Sequence, residues 1–126
     1  MLIVDQSDDS REVLRIILQQ QGVRIMEADA GSAGLKIARD QRPDVIVLDI
    51  DAPEFHRAPA AGDRNICEEY ADQANTDQAS LVIIGTSRRD STRAGGQFIR
   101  KPYQYGPLIR KIEALLAESG TVRDAA

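Results

Sequence analysis

Asp5, Asp49, Thr86 and Lys101 each stand at the end of a run rich in apolar residues. Two carboxylates, a hydroxyl and an ammonium are groups that suit a divalent cation beside a phosphoryl group. Magnesium takes carboxylate oxygens and water, a lysine neutralises phosphate oxygens, and a hydroxyl donates to one more. Around the first acid the chain reads VDQSDDS, residues 4–10, so the amide of Gln6 separates Asp5 from Asp8 and Asp9. Asp51 follows Asp49 at a distance of two residues. Taken singly, an acid after a strand is a helix cap or a loop residue, and a Lys-Pro pair is a turn. The chemistry therefore depends on whether the fold gathers these groups.

The elements that must position them follow from periodicity. Residues 45–48 and 81–84 are continuously apolar and rich in Val and Ile, and residues 1–4 resemble them. Such runs suit strands covered on both faces, as in a parallel sheet. Residues 23–26, interrupted by Arg24, and residues 97–100, with only Phe98 and Ile99 apolar, suit edge strands. Helical stripes lie between them. Val13, Leu14, Ile17 and Leu18 follow possible caps at Asp9 or Ser10, and Ala33, Ile37 and Ala38 form a weaker stripe after Ser32. Ile66, Tyr70 and Ala74 make a third stripe, and Leu108, Ile109, Ile112, Leu115 and Leu116 the clearest one. Five strands alternating with helices predict an α/β fold with a parallel sheet and right-handed crossovers. In such a sheet ligands gather at the carboxyl ends of the strands, where Asp5, Asp49, Thr86 and Lys101 fall.

Composition narrows the function classes. The 126 residues suit one compact domain, with residues 1–117 as the folded unit and 118–126 as a tail or linker stub. Hydrophobic residues make up 42% and charged residues 29%, a soluble balance. A net charge of −4, from 16 basic and 20 acidic residues, argues against nucleic acid as a partner. Cys67 is the only cysteine, so no internal disulfide forms and no Cys/His metal spacing exists. With no apolar run long enough for a bilayer and no leader pattern, no membrane partner is expected and a cytoplasmic location is the default.

The chain resembles the receiver domain of two-component response regulators. LIVDQSDDSREVL is similar to that family's first strand, acidic turn and first helix, and PDVIVLDIDAP to its third strand with the phosphoacceptor and following proline. LVIIGTS matches the fourth strand with its switch hydroxyl, and FIRKPY the aromatic, lysine and proline of the fifth. The resemblance implies a flavodoxin-like, doubly wound three-layer α/β/α fold with strand order 2-1-3-4-5. It implies that Asp49 takes phosphoryl from a histidine kinase or phosphotransfer protein and that a downstream effector protein reads the change. Magnesium would be held by Asp5, Gln6, Asp49 and the backbone carbonyl of Asp51. Thr86 and Lys101 would bind phosphoryl oxygens, Thr86 and Phe98 would form the switch, and the Lys101–Pro102 bond would be cis. The domain would not be an enzyme.

Three features depart from the family pattern. Gln6 occupies the place of a second acid, which implies weak magnesium binding. The loop before the third helix is long, if Gly62-Asp63-Arg64 marks the usual turn, and the segment SRRDSTRAGGQ before Phe98 has no apolar stripe and predicts at most one helical turn. His56 reads as a solvated loop residue, Cys67 as a helix thiol, and Arg88 as surface charge or a partner of Asp51. Two rival functions use the same residues. A degenerate receiver would dock partners without phosphorylation. A haloacid-dehalogenase-like phosphatase would use DIDAP, with Asp49 as nucleophile and Asp51 as general acid. That motif wants Thr or Val at Pro53, and its metal acids follow the lysine, whereas Asp5 precedes everything.

Overall fold

A computed structural model describes residues 1–56, 65–86 and 96–119 of the chain. Its five strands are β1 (Leu2–Val4), β2 (Met26–Ala28), β3 (Val45–Asp49), β4 (Ser80–Gly85) and β5 (Gln97–Arg100). They form one sheet in the order β2-β1-β3-β4-β5, and every pairing is parallel. The helices are α1 (Asp8–Gln19), α2 (Gly31–Gln41), α3 (Ile66–Asp77) and α4 (Tyr105–Ser119), with a short 3-10 turn at Pro53–Phe55. The flavodoxin-like order expected from the sequence is the order found.

The strand side chains alternate, as the two-residue period of a strand requires. Leu2, Val4, Ile46, Leu48, Leu81 and Ile83 point into a core shared with Leu35 and Ala38 of α2 and Cys67, Tyr70 and Ala74 of α3. Ile3, Val45, Val47, Val82 and Ile84 point the other way, against Leu14 and Leu18 of α1 and the whole apolar stripe of α4. Three layers result. The continuous apolar runs of β1, β3 and β4 thus reflect burial on both faces, and the broken runs of β2 and β5 their edge positions. Pro107 sits in the first turn of α4, where its missing N–H would have no helical partner anyway.

Three local readings differ from the sequence pattern. The second strand lies at Met26–Ala28 rather than at residues 23–26. Val23 is buried and Ile25 packs on the α1/α4 side, so the apolar signal marks the approach to the ladder, which opens with Met26 N–H donating to the carbonyl of Met1 at 2.9 Å. The cap of α1 is Ser7, whose side chain accepts from Ser10 N–H, rather than Asp9 or Ser10. Helix α2 begins at Gly31, one residue before Ser32, and its own N-cap residue Ala30 offers no side-chain bond. Most of SRRDSTRAGGQ, Arg88 and the Gly62-Asp63-Arg64 turn lie outside the described residues.

Helix α2 lacks a side-chain cap of its own and is instead held from across the fold. Glu54, in the 3-10 turn, accepts from the N–H of Gly31, and the buried Tyr70 hydroxyl donates to the Gly31 carbonyl at 2.5 Å. Gly34, one turn on, faces the same tyrosine. A β-carbon there would strike the Tyr70 hydroxyl and lie 2.6 Å from Val4 Cγ2. We expect Gly34→Ala to destabilise the domain by about 1–3 kcal/mol through overpacking, less the helix preference of alanine. Urea unfolding at constant m-value checks it.

Candidate functional site

The ladder continues one residue past several strand ends, and that extension fixes the candidate groups. Asp5 N–H donates to the carbonyl of Ala28 at 3.0 Å, Ile50 N–H to Ile84 at 2.9 Å, and Lys101 N–H to Gly85 at 2.9 Å. Backbone bonds at this edge are therefore made before any side chain is considered. Asp5, Asp49, Thr86 and Lys101 end up on one rim of the sheet, as the sequence predicted.

Asp5 and Asp49 are buried, at 7% and 5% exposure, and they are the buried charged residues of the described chain. Buried carboxylates need donors or cations. Asp5 Oδ1 accepts from Ser7 N–H at 2.9 Å, and Asp49 Oδ1 from Asp51 N–H at 3.0 Å. The Lys101 ammonium lies 2.6 Å from Asp49 Oδ2 and 3.0 Å from Asp51 Oδ2. Asp51 Oδ1 in turn accepts from both the N–H and the hydroxyl of Thr86, at 3.0 and 3.2 Å. The close approach of the Asp51 loop to β4 needs Gly85, where a β-carbon would lie 2.8 Å from Ile50 Cγ1.

The protonation energetics follow from these partners. Burial acts against the Lys101 ammonium, but hydrogen bonds to Asp49 and Asp51 outweigh it and hold the proton more tightly than in a free lysine. Burial also acts against the Asp51 carboxylate, and the Thr86 N–H and Lys101 overcome it, leaving Asp51 more acidic than usual. Asp5 goes the other way. Burial and the neighbouring Asp49 charge push its carboxyl up, despite the Ser7 N–H and Lys101.

The other sequence candidates fall as follows. Gln6, Asp8 and Asp9 are exposed, and Asp8 pairs with Arg11. Phe98 is half-buried against the α2/α3-side core, and the Lys101–Pro102 bond is cis. His56 is exposed after the 3-10 turn, while Cys67 is buried in α3. The sequence suggested a backbone carbonyl for Asp51 in the receiver reading and Arg88 as a partner for its side chain, and among the described residues its carboxylate holds Thr86 and Lys101. Sequence reasoning passed over Tyr103, which shares an open cleft with Ser10, Thr86, Lys101, Pro102 and Tyr105. Burial and the nearby Tyr105 push the Tyr103 hydroxyl up to about 12, and the two rings meet edge to face at 5.5 Å. Its place two residues after Lys101 is the signal that points to it.

An oxygen-rich acidic pair fits magnesium, which binds through one or two carboxylates and keeps several waters. Among the described residues no group of three or more His, Cys, Asp or Glu is arranged around a metal position, and Asp5 and Asp49 are the buried acids at this rim. The raised Asp5 carboxyl has a consequence for stability. A folded-state pKa above the usual carboxylate value means that stability is present at low pH and lost as pH rises through that pKa. In metal-free buffer we expect Asp5→Asn, which keeps an acceptor for Ser7 N–H, to raise the melting temperature at neutral pH. That gain should vanish below the unfolded-state value of about 3.9. Thermal melts at both pH values check it.

The comparisons place this arrangement. The family model described as response regulator receiver domain matches residues 1–58. Protein PilH of Pseudomonas aeruginosa is 26% identical across 93% of this chain and 97% of its own length. The transcriptional regulatory protein AfsQ1 of Streptomyces coelicolor is 30% identical across 92% of this chain, which spans only 50% of that longer relative. Among solved structures, response regulator protein TrrA of Thermotoga maritima, in complex with magnesium and beryllium fluoride, is 25% identical. It superposes with a TM-score of 0.67 over 91% of this chain and 96% of its own. No helix among the described residues is long and apolar enough to cross a membrane. The 2-1-3-4-5 sheet, the family match over residues 1–58 and the near full-length likeness to PilH assign the chain to the response regulator receiver domains of two-component signalling.

Proposed function

We propose that Asp49 is the phosphoacceptor of this receiver domain, charged by a histidine kinase or a phosphotransfer protein in the cytoplasm. The observation that carries the reading is the Lys101 ammonium 2.6 Å from Asp49 Oδ2, on a carboxylate that is otherwise buried. A carboxylate attacks phosphorus poorly unless cations offset the charge that builds on the phosphoryl oxygens. In the transfer an Asp49 oxygen forms a bond to phosphorus while the bond from phosphorus to the donor's nitrogen breaks, and that nitrogen keeps the electron pair. The product is an acyl phosphate, which water later hydrolyses to inorganic phosphate and free Asp49. The domain thus serves as a phosphoryl carrier rather than as an enzyme acting on small substrates.

Asp5, Asp49 and the carbonyl of Asp51, with Gln6 beside them, would hold magnesium, which supplies further charge neutralisation when bound. Thr86 and Lys101 bind phosphoryl oxygens in this reading. Thr86, moving toward the phosphoryl, and Phe98, repacking in its half-buried site, carry the change to a downstream effector protein. Residues 1–117 form the working unit and 118–126 a tail or linker.

Incubation with acetyl phosphate and magnesium should add one phosphoryl group by mass spectrometry, and Asp49→Asn should abolish it. Label that survives this substitution places the acceptor elsewhere. Gln6 gives up a negative charge where magnesium prefers a carboxylate. At an effective dielectric of about 20 and roughly 4 Å, one unit charge facing another is on the order of 4 kcal/mol before water and neighbouring acids compensate. Gln6→Asp should therefore tighten magnesium binding, read by NMR titration, and speed labelling at low magnesium. An unchanged titration would show that residue 6 does not face the metal.

A further inference from the structure

We propose that the Asp51 carboxylate is a resident surrogate for the phosphoryl group, holding Thr86 and Lys101 until phosphorylation displaces it. The inference rests on Asp49 being the acceptor. In the proposed reading a phosphoryl group on Asp49 draws on the Lys101 ammonium and the Thr86 hydroxyl. Asp51 already engages both. Its Oδ2 lies 3.0 Å from Lys101 Nζ, and its Oδ1 takes the Thr86 hydroxyl at 3.2 Å and the Thr86 N–H at 3.0 Å. One carboxylate thus spans the end of β4 and the end of β5 with an anion. That is the electrostatic work expected of the phosphoryl group itself.

Two consequences follow from charge. The incoming phosphoryl group carries about two negative charges, so it repels the Asp51 carboxylate and competes with it for the same donors. Asp51 must swing out for Thr86 and Lys101 to turn to the phosphoryl group, which slows phosphorylation. Before that, Thr86 is held by an anion in place of the phosphoryl group, so the resting domain keeps its switch hydroxyl engaged. Asp51 is half-buried and Thr86 exposed, so the carboxylate has solvent to swing into. Burial does not lock it in place.

The test uses the whole chain and Asp51→Asn, which keeps the backbone carbonyl and side-chain shape but removes the charge that holds Lys101. Asp9→Asn, an exposed acid on α1, makes the same change of net charge and serves as the control. With acetyl phosphate and magnesium, Asp51→Asn should label faster by on the order of tenfold, the effect of losing one charge-assisted contact. It should also bind beryllium fluoride more tightly by a similar factor, while Asp9→Asn stays within twofold of the parent. In metal-free buffer the Thr86 amide proton of Asp51→Asn should move upfield as its charged acceptor is lost. Equal labelling of parent and Asp51→Asn, equal acceleration in Asp9→Asn, or an unmoved Thr86 amide overturns the surrogate and leaves Asp49 as acceptor. Absence of label in both parent and Asp51→Asn overturns the acceptor reading, and the surrogate falls with it.

Discussion

The Lys101 ammonium, bridging Asp49 and Asp51, is the interaction on which the site depends. A parallel sheet buries its central strands on both faces, so an acid at the end of β3 has little water around it. Asp49 is consequently almost as buried as the aliphatic residues that precede it. A buried carboxylate needs a cation or hydrogen-bond donors in place of the water it has lost. Lys101 comes from the far edge of the sheet, two strands away in the order, and its backbone is fixed by the bond to Gly85. The ladder therefore delivers the cation to the acid, and the charge of each stabilises the charge of the other.

A second node stabilises the loop that follows Asp49. Gly31 has its N–H taken by Glu54 and its carbonyl by Tyr70, so three elements meet on one residue. Glu54 belongs to the 3-10 turn that leaves Asp49 through Pro53, and Tyr70 belongs to α3. The helix that has no cap in its own sequence obtains one from the loop after Asp49. Breaking either contact would leave a polar group, the Gly31 N–H or the buried Tyr70 hydroxyl, without its partner, at about 1–3 kcal/mol. The geometry near Asp49 is thus tied to the packing of α2 and α3 on the opposite side from α1 and α4.

The charge distribution around the site is uneven. Lys101 serves the Asp49–Asp51 side, whereas Asp5 is pushed up by burial and by Asp49, so the negative charge is least compensated between Asp5 and Asp49. A hard divalent cation suits that position. The exposed Gln6 carries no charge, so it adds nothing to the repulsion within the acidic cluster.

How much of this was legible in the sequence differs by element. The continuous apolar runs at residues 45–48 and 81–84 and the stripe from Leu108 to Leu116 set the α/β alternation, because side-chain period and two-sided burial are local properties. The candidate residues Asp5, Asp49, Thr86 and Lys101 came from the rule that strand ends gather ligands, and the order 2-1-3-4-5 from the resemblance carried by PDVIVLDIDAP, LVIIGTS and FIRKPY. The start of β2 was misplaced because Val23 and Ile25 announce burial, while the ladder is made by the backbone of Met26–Ala28, which leaves no side-chain trace. The Ser7 cap, the Glu54–Gly31–Tyr70 node and the Asp51 carboxylate on Thr86 and Lys101 were decided only by the tertiary structure. Each joins groups whose meeting depends on backbone angles or on distance in space, and hydrogen-bond partners of that kind have no fixed spacing along a chain.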